Sequence, residues 1–194
     1  MIHDSQTLHF VTEQYLACFH RILNTMICGM TSAKINESIS HNFIVQMIPH
    51  HRAAIEMSQN LLCYTTCTPL QKIASGIITE QTKSIRDMKQ ILGRCSQRRN
   101  SPEELSCYQC DIGHIMNTMF EQMETAQPDK NINISFMREM IPHHKCAIAM
   151  SSLTLDEPIC PSLKPILTSI ITSQEKGVKE MEQLLSCLDE EFAP

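Results

Sequence analysis

From Tyr15 onward, the apolar positions of this chain recur at intervals of three and four. Tyr15, Phe19, Ile22, Met26 and Met30 step by 4, 3, 4 and 4, the spacing that lines one face of a helix with about 3.6 residues per turn. A second stripe runs through Phe43, Met47, His50, His51, Ala54 and Met57, and a third through Ile73, Ile77, Gln81, Ile85, Met88 and Leu92. Glycine is scarce, 5 in 194 residues, and no alternation of the β type is sustained. Three helices are therefore expected in this part of the chain. The second is expected to begin near Ser40, a good N-cap. The third should begin after Thr68-Pro69, where proline suits a first helical turn.

The same pattern returns further along. The phrase MIPHH starts at Met47 and again at Met140, an offset of 93 (140 − 47). In that register and without a gap, Tyr15 falls on Tyr108, Met26 on Met119, Met30 on Met123, Phe43 on Phe136, Met57 on Met150, Cys67 on Cys160, Gln81 on Gln174 and Met88 on Met181. The second copy of the first stripe is Tyr108, Ile112, Ile115, Met119 and Met123, and of the third Ile166, Ile170, Gln174, Val178, Met181 and Leu185. Asn133 stands where Ser40 stood, and Cys160-Pro161 where Cys67-Thr68 stood. Matches spread over three segments point to a tandem duplication, residues 1–97 and 98–194. The polar stretch RCSQRRNSPEE at 94–104 joins the halves, with Ser101-Pro102-Glu103-Glu104 opening the next helix. The expected architecture is all-α: six helices from two three-helix repeats about a pseudo-twofold axis. The second and third helices of each half would make a four-helix bundle, flanked by the first helices, in one compact unit.

On a helix, His51 lies about 40° to one side of Met47 and His50 about 60° to the other. Both imidazoles border the apolar stripe, and Met57 returns near His50 one heptad on. Pro49 and Pro142 cannot donate to the carbonyls of Val45 and Arg138, so a bend is expected just before each histidine pair. A single histidine on such a stripe reads as a core group bonded to a carbonyl. Two adjacent ones framed by methionine suggest ligands. Gln81 and Gln174, mid-stripe, need partners if buried, and a histidine ring N–H on the facing helix is the nearest candidate, one that would fix a ligand tautomer.

Composition sharpens this. The chain has 13 Met, 10 Cys and 9 His but no Trp. Thioether and imidazole together suit Cu(I), with Ag(I) as its chemical mimic. The candidate ligands are His50, His51, His143 and His144 with Met47, Met57, Met140 and Met150. Behind them stand Met26, Met30, Met119 and Met123, with Gln81 and Gln174 as supports. Met116 also lies near the stripe. Carboxylates do not repeat: Glu139 matches Gln46 and Glu56 matches Ala149, which argues against a di-iron oxidase. The pair Cys107 and Cys110 matches Gln14 and Ala17, so this CxxC stands outside the repeat. No nucleophile–base signature is evident, and no catalytic role is expected. The formal charge of −5 and the absence of a basic patch argue against nucleic acid. No apolar run is long enough for a membrane span, and MIHDSQTLHF lacks the form of a signal peptide. A cytoplasmic protein with reduced thiols is the expectation, with self-association left open.

The pattern F-x-x-x-M-I-P-H-H-x-x-A-I-x-M followed by I-I-x-x-Q-x-x-x-x-x-x-M is carried by Phe43–Met57 with Ile77–Met88, and by Phe136–Met150 with Ile170–Met181. It resembles the family catalogued as domain of unknown function 305. The resemblance implies a ferritin-like helical bundle and, for some members, copper or silver binding and copper tolerance. Members are often exported, which this N-terminus does not suggest, and Ala149 replaces the usual acidic residue. The expectation is a Cu(I)-binding protein for buffering or tolerance. A metal-free interaction module with structural or pH-sensitive histidines remains the alternative, and a ferritin-like redox enzyme a more distant one.

Overall fold

The structure, a computed structural model, describes residues 2–127 and 129–191; the side chains of residues 2–9 and 189–191 are outside the description. Six helices follow one another: α1 Ile2–Thr31, α2 Ile39–Leu62, α3 Thr68–Cys95, α4 Pro102–Glu124, α5 Ile132–Leu155 and α6 Lys164–Glu191. No strand occurs among the described residues, and none of the helices is long and apolar enough to cross a membrane. The helices α2, α3, α6 and α5 pack in a closed ring, each against the next, while α1 packs on α2 and α4 on α5. This is the bundle with two flanking helices that the stripes predicted.

The stripes explain the packing. Tyr15, Phe19, Ile22, Met26 and Met30 of α1 are buried, as are Tyr108, Ile112, Met116, Met119 and Met123 of α4; Ile115 is only partly so. One α1 contact needs glycine: a β-carbon on Gly29 would come 2.9 Å from Cβ of Pro49, so α1 lies directly against the proline of α2. Both α2 and α5 run unbroken through their prolines.

Helix starts depart from expectation in an orderly way. The N-caps of α2 and α5 are Ser38 and Asn131, each two residues before the expected Ser40 and Asn133. Ser38 accepts from the His41 N–H and Asn131 from the Asn133 N–H. Ser40 instead accepts from the backbone N–H of Cys160, tying the start of α2 to the loop before α6. The helix α3 begins at Thr68, slightly before the expected start after Thr68-Pro69, with Cys67 as N-cap and the expected proline in its first turn. Helix α6 begins only at Lys164, three residues beyond Pro161. Pro165 has no N–H to offer the carbonyl of Pro161. Residues 161–163 instead form a turn closed by the Leu163 N–H on the Cys160 carbonyl, 2.9 Å.

Candidate metal centre

The histidine pairs meet where α2 faces α5. The His50 and His143 rings lie with centroids 3.7 Å apart and planes inclined by 32°. The His51 ring is 5.9 Å from that of His50, and the His144 ring 6.0 Å from that of His143. Adjacent residues on a helix diverge by about 100°. One member of each pair therefore faces the opposite helix, and the other turns toward a third. His51 turns to α3, where its Nε2 is 3.1 Å from Oγ of Ser84. His144 turns to α6, with Cδ2 only 2.9 Å from where a β-carbon of Gly177 would stand. Positions 84 and 177 are matched in the 93-residue register, so the two halves treat their outer histidines differently.

All four imidazoles are buried, from 0% exposed for His50 and His143 to 2% for His144. Loss of solvent holds each below its ordinary value of 6.5, His51 at about 3 and His143 at about 4. His50 and His144 are also driven well down, first by burial and then by the neighbouring imidazoles. At neutral pH the cluster is uncharged, and a neutral imidazole keeps one nitrogen lone pair for a ligand. For His143 the tautomer follows from its partner. Its Nε2 is 3.1 Å from the His50 carbonyl oxygen, which can only accept, so Nε2 carries the proton. Nδ1 of His143 is then the lone-pair nitrogen. It is buried without a partner, as are Nδ1 of His50 and of His51.

Every candidate methionine is buried. Met47 and Met140 are 0% exposed, one helical turn before the histidines, and Met57 and Met150 follow on the same helices. Met26, Met30, Met119 and Met123 belong to α1 and α4, a layer outside the ring of four helices. The expected bonds from Gln81 and Gln174 to the histidines are not formed. Both Gln81 amide atoms and Oε1 of Gln174 are buried without partners, and His51 is met by Ser84, one turn further along α3. These two amides mark the α3–α6 seam, and both line clefts at either end of it.

Three features escaped the pattern of the sequence. Ser84 and Gly177 were legible only as an unmatched pair in the 93-residue register. Glu139 was noted for its failure to repeat, yet it is a buried acid: Tyr15 donates to its Oε2 at 2.9 Å. Desolvation lifts Glu139 to about 8 against the opposite pull of that hydrogen bond. All ten cysteines are free thiols, and Cys107 and Cys110 are exposed on α4.

Among the described residues, no three His, Cys, Asp or Glu side chains are grouped so as to hold a metal ion. The stacked rings explain this. Their lone pairs lie in the ring planes, so rings facing each other at a 32° tilt direct them past one another rather than at one point. A donor set of imidazole and thioether suits a soft ion of low coordination number. It does not fit the closed tetrahedral cage of a structural zinc site.

Fold and site together define an all-α helical bundle with a neutral, methionine-flanked histidine cluster at its centre. The chain belongs to the family described as domain of unknown function (DUF305), whose pattern matches residues 40–185. CopM is similar in structure in its Cu(II)-bound form, with TM-score 0.58, 28% identity, and coverage of 77% of this chain and 97% of that one. CopM in a silver-bound form obtained by soaking gives TM-score 0.57 and 28% identity over 78% of this chain and 97% of that one. A DUF305 fragment from Deinococcus radiodurans gives TM-score 0.55 and 25% identity over 76% and 95%. The uncharacterized protein L153 of Acanthamoeba polyphaga mimivirus is 38% identical over 50 residues, which cover 26% of this chain and 33% of that protein.

Proposed function

We propose that this protein binds Cu(I), with Ag(I) as its chemical equivalent, and holds it for buffering or tolerance. The inner ligands in this reading are His50 and His143, assisted by His51, His144 and the thioethers of Met47, Met57, Met140 and Met150. The observation that carries it is the close pair of imidazoles at the bundle centre, with Nδ1 of both rings buried without a partner. An unpaired buried polar atom costs on the order of 1–3 kcal/mol. A soft cation relieves that cost without requiring a charged ligand in the core. The metal-bound forms of CopM support the same reading, as does the neutrality of all four imidazoles. Ten free thiols suit a reducing, cytoplasmic setting. The function asks for binding and release, and needs no turnover.

The second reading, a metal-free interaction module, is favoured by the lack of a ready group of three His, Cys, Asp or Glu donors among the described residues. The two are separated by anaerobic titration with Cu(I) against a competing chelator, after alkylation of the exposed cysteines. The expected result is uptake by the native chain that is lost in the His50→Ala/His51→Ala/His143→Ala/His144→Ala variant, with helicity retained. Equal uptake by both proteins would sink the metal reading. A His143→Gln variant, which preserves volume, guards against a folding artefact.

A further inference from the structure

Two clefts open between α3 and α6, one on each side of the Gln81–Gln174 seam. The smaller, about 350 Å³, has His51 in its wall together with Ser84 and Ser169. The larger, about 560 Å³, has His144 in its wall together with Gly177 and Gly76. In the 93-residue register, Ser84 matches Gly177 and Gly76 matches Ser169. The clefts are thus counterparts, and at both matched positions a serine in one is a glycine in the other. The difference falls on the histidines. In the smaller cleft the Ser84 hydroxyl holds His51 by its Nε2 at 3.1 Å. In the larger, no side chain stands at 177, and the edge of the His144 ring occupies that space: a β-carbon there would lie 2.9 Å from Cδ2 and 3.1 Å from Nε2. His50 and His143 lie behind, with no exposed surface of their own.

We infer that the inner histidine pair is reached past His144, whose unlatched ring edge fills the room Gly177 leaves in the larger α3–α6 cleft, and not past His51, which Ser84 latches. The ligand admitted there is a soft monovalent cation, and this part rests on the metal-binding reading above. His144 would then be the first imidazole reached from the cleft, with His143 and His50 behind it. A serine at 177 would bring its β-carbon to 2.9 Å from the present His144 ring, so the ring must swing to the place His51 takes beside Ser84. Gly177→Ser therefore installs a latch, and Ser84→Gly removes one.

The access difference is measurable on metal-free protein. Diethyl pyrocarbonate acylates neutral, reachable imidazole nitrogens, and peptide mass spectrometry reads each histidine separately. His144 should react faster than His51, by roughly tenfold if one hydrogen bond must break first. Gly177→Ser should bring His144 down to the rate of His51, and Ser84→Gly should raise His51. Stopped-flow loading with Ag(I), exposed thiols alkylated, should be slowed by Gly177→Ser at unchanged stoichiometry and restored in the Ser84→Gly/Gly177→Ser double variant. Equal reactivity of His51 and His144 in the native chain overturns this route. So does native-rate loading of Gly177→Ser in a protein whose quadruple histidine variant takes up no silver; the metal reading would survive that result. Unequal reactivity with no silver uptake by the native chain would leave the access difference standing and remove the metal reading.

Discussion

His50 and Glu139 show what burial does to single side chains, in opposite directions. The folded histidines are held below 6.5, His51 at about 3 and His143 at about 4. Their contribution to stability is complete above the unfolded value and is lost as pH falls through the acid range, because the unfolded chain takes up protons that the core refuses. Glu139 is raised to about 8, so its contribution is complete below the unfolded value of about 4.5 and is lost as pH rises through 8. Position 46, its match in the other half, is already Gln. Glu139→Gln keeps an acceptor for the Tyr15 hydroxyl and removes the titration. Denaturant unfolding of metal-free protein should show the variant gaining on the native chain by up to about 1.4 kcal/mol per pH unit between about pH 5 and pH 8. The two should converge near pH 4.5, while both lose stability together on further acidification. A difference independent of pH would show that the carboxyl is not buried as an acid.

At the scale of elements, the helices are held at their starts by short polar side chains. Ser38 caps α2 and also donates at 2.8 Å to the carbonyl of Cys95, the last residue of α3. Both residues are 0% exposed. Ser38→Ala removes the cap and leaves a buried carbonyl without that donor, which should cost about 1–3 kcal/mol. Chemical denaturation measures it, and a loss within error of zero would show that the joint is not a structural one. The six helices were legible because stripes such as Tyr15–Met30 and Ile73–Leu92 repeat the helical period over several turns. The cap positions were not, because Ser38 and Ser40 are both competent caps; tertiary bonds decide between them, and Cys160 claims Ser40. The delayed start of α6 has a local cause in Pro165 that outweighs its match to the start of α3. The histidines were legible as polar residues on an apolar stripe. Their partners were not, since a serine within the stripe of α3 does not announce what it meets, and the stacking of His50 on His143 depends on how two helices cross.

For the molecule as a whole, the ring of α2, α3, α6 and α5 surrounds the imidazoles, with only His51 and His144 reaching the two α3–α6 clefts. The helix count and the central position of the histidines followed from the pattern of the chain. The distances did not: two pairs of ligand-type residues turned out to be a stacked dyad with one outlier toward α3 and one toward α6. In the proposed reading, an ion bound here would take imidazole nitrogen from His50 and His143 and sulfur from methionine thioethers, without the cysteines. The most direct test is X-ray absorption at the copper edge on protein loaded with one equivalent of Cu(I), with the exposed cysteines alkylated. The expected spectrum is that of Cu(I) with nitrogen neighbours showing the outer-shell scattering of imidazole, together with thioether sulfur, and this signature should vanish in the His50→Ala/His143→Ala variant. A coordination shell of thiolate sulfur alone, unchanged in that variant, would contradict the claim that the histidine cluster is the metal site.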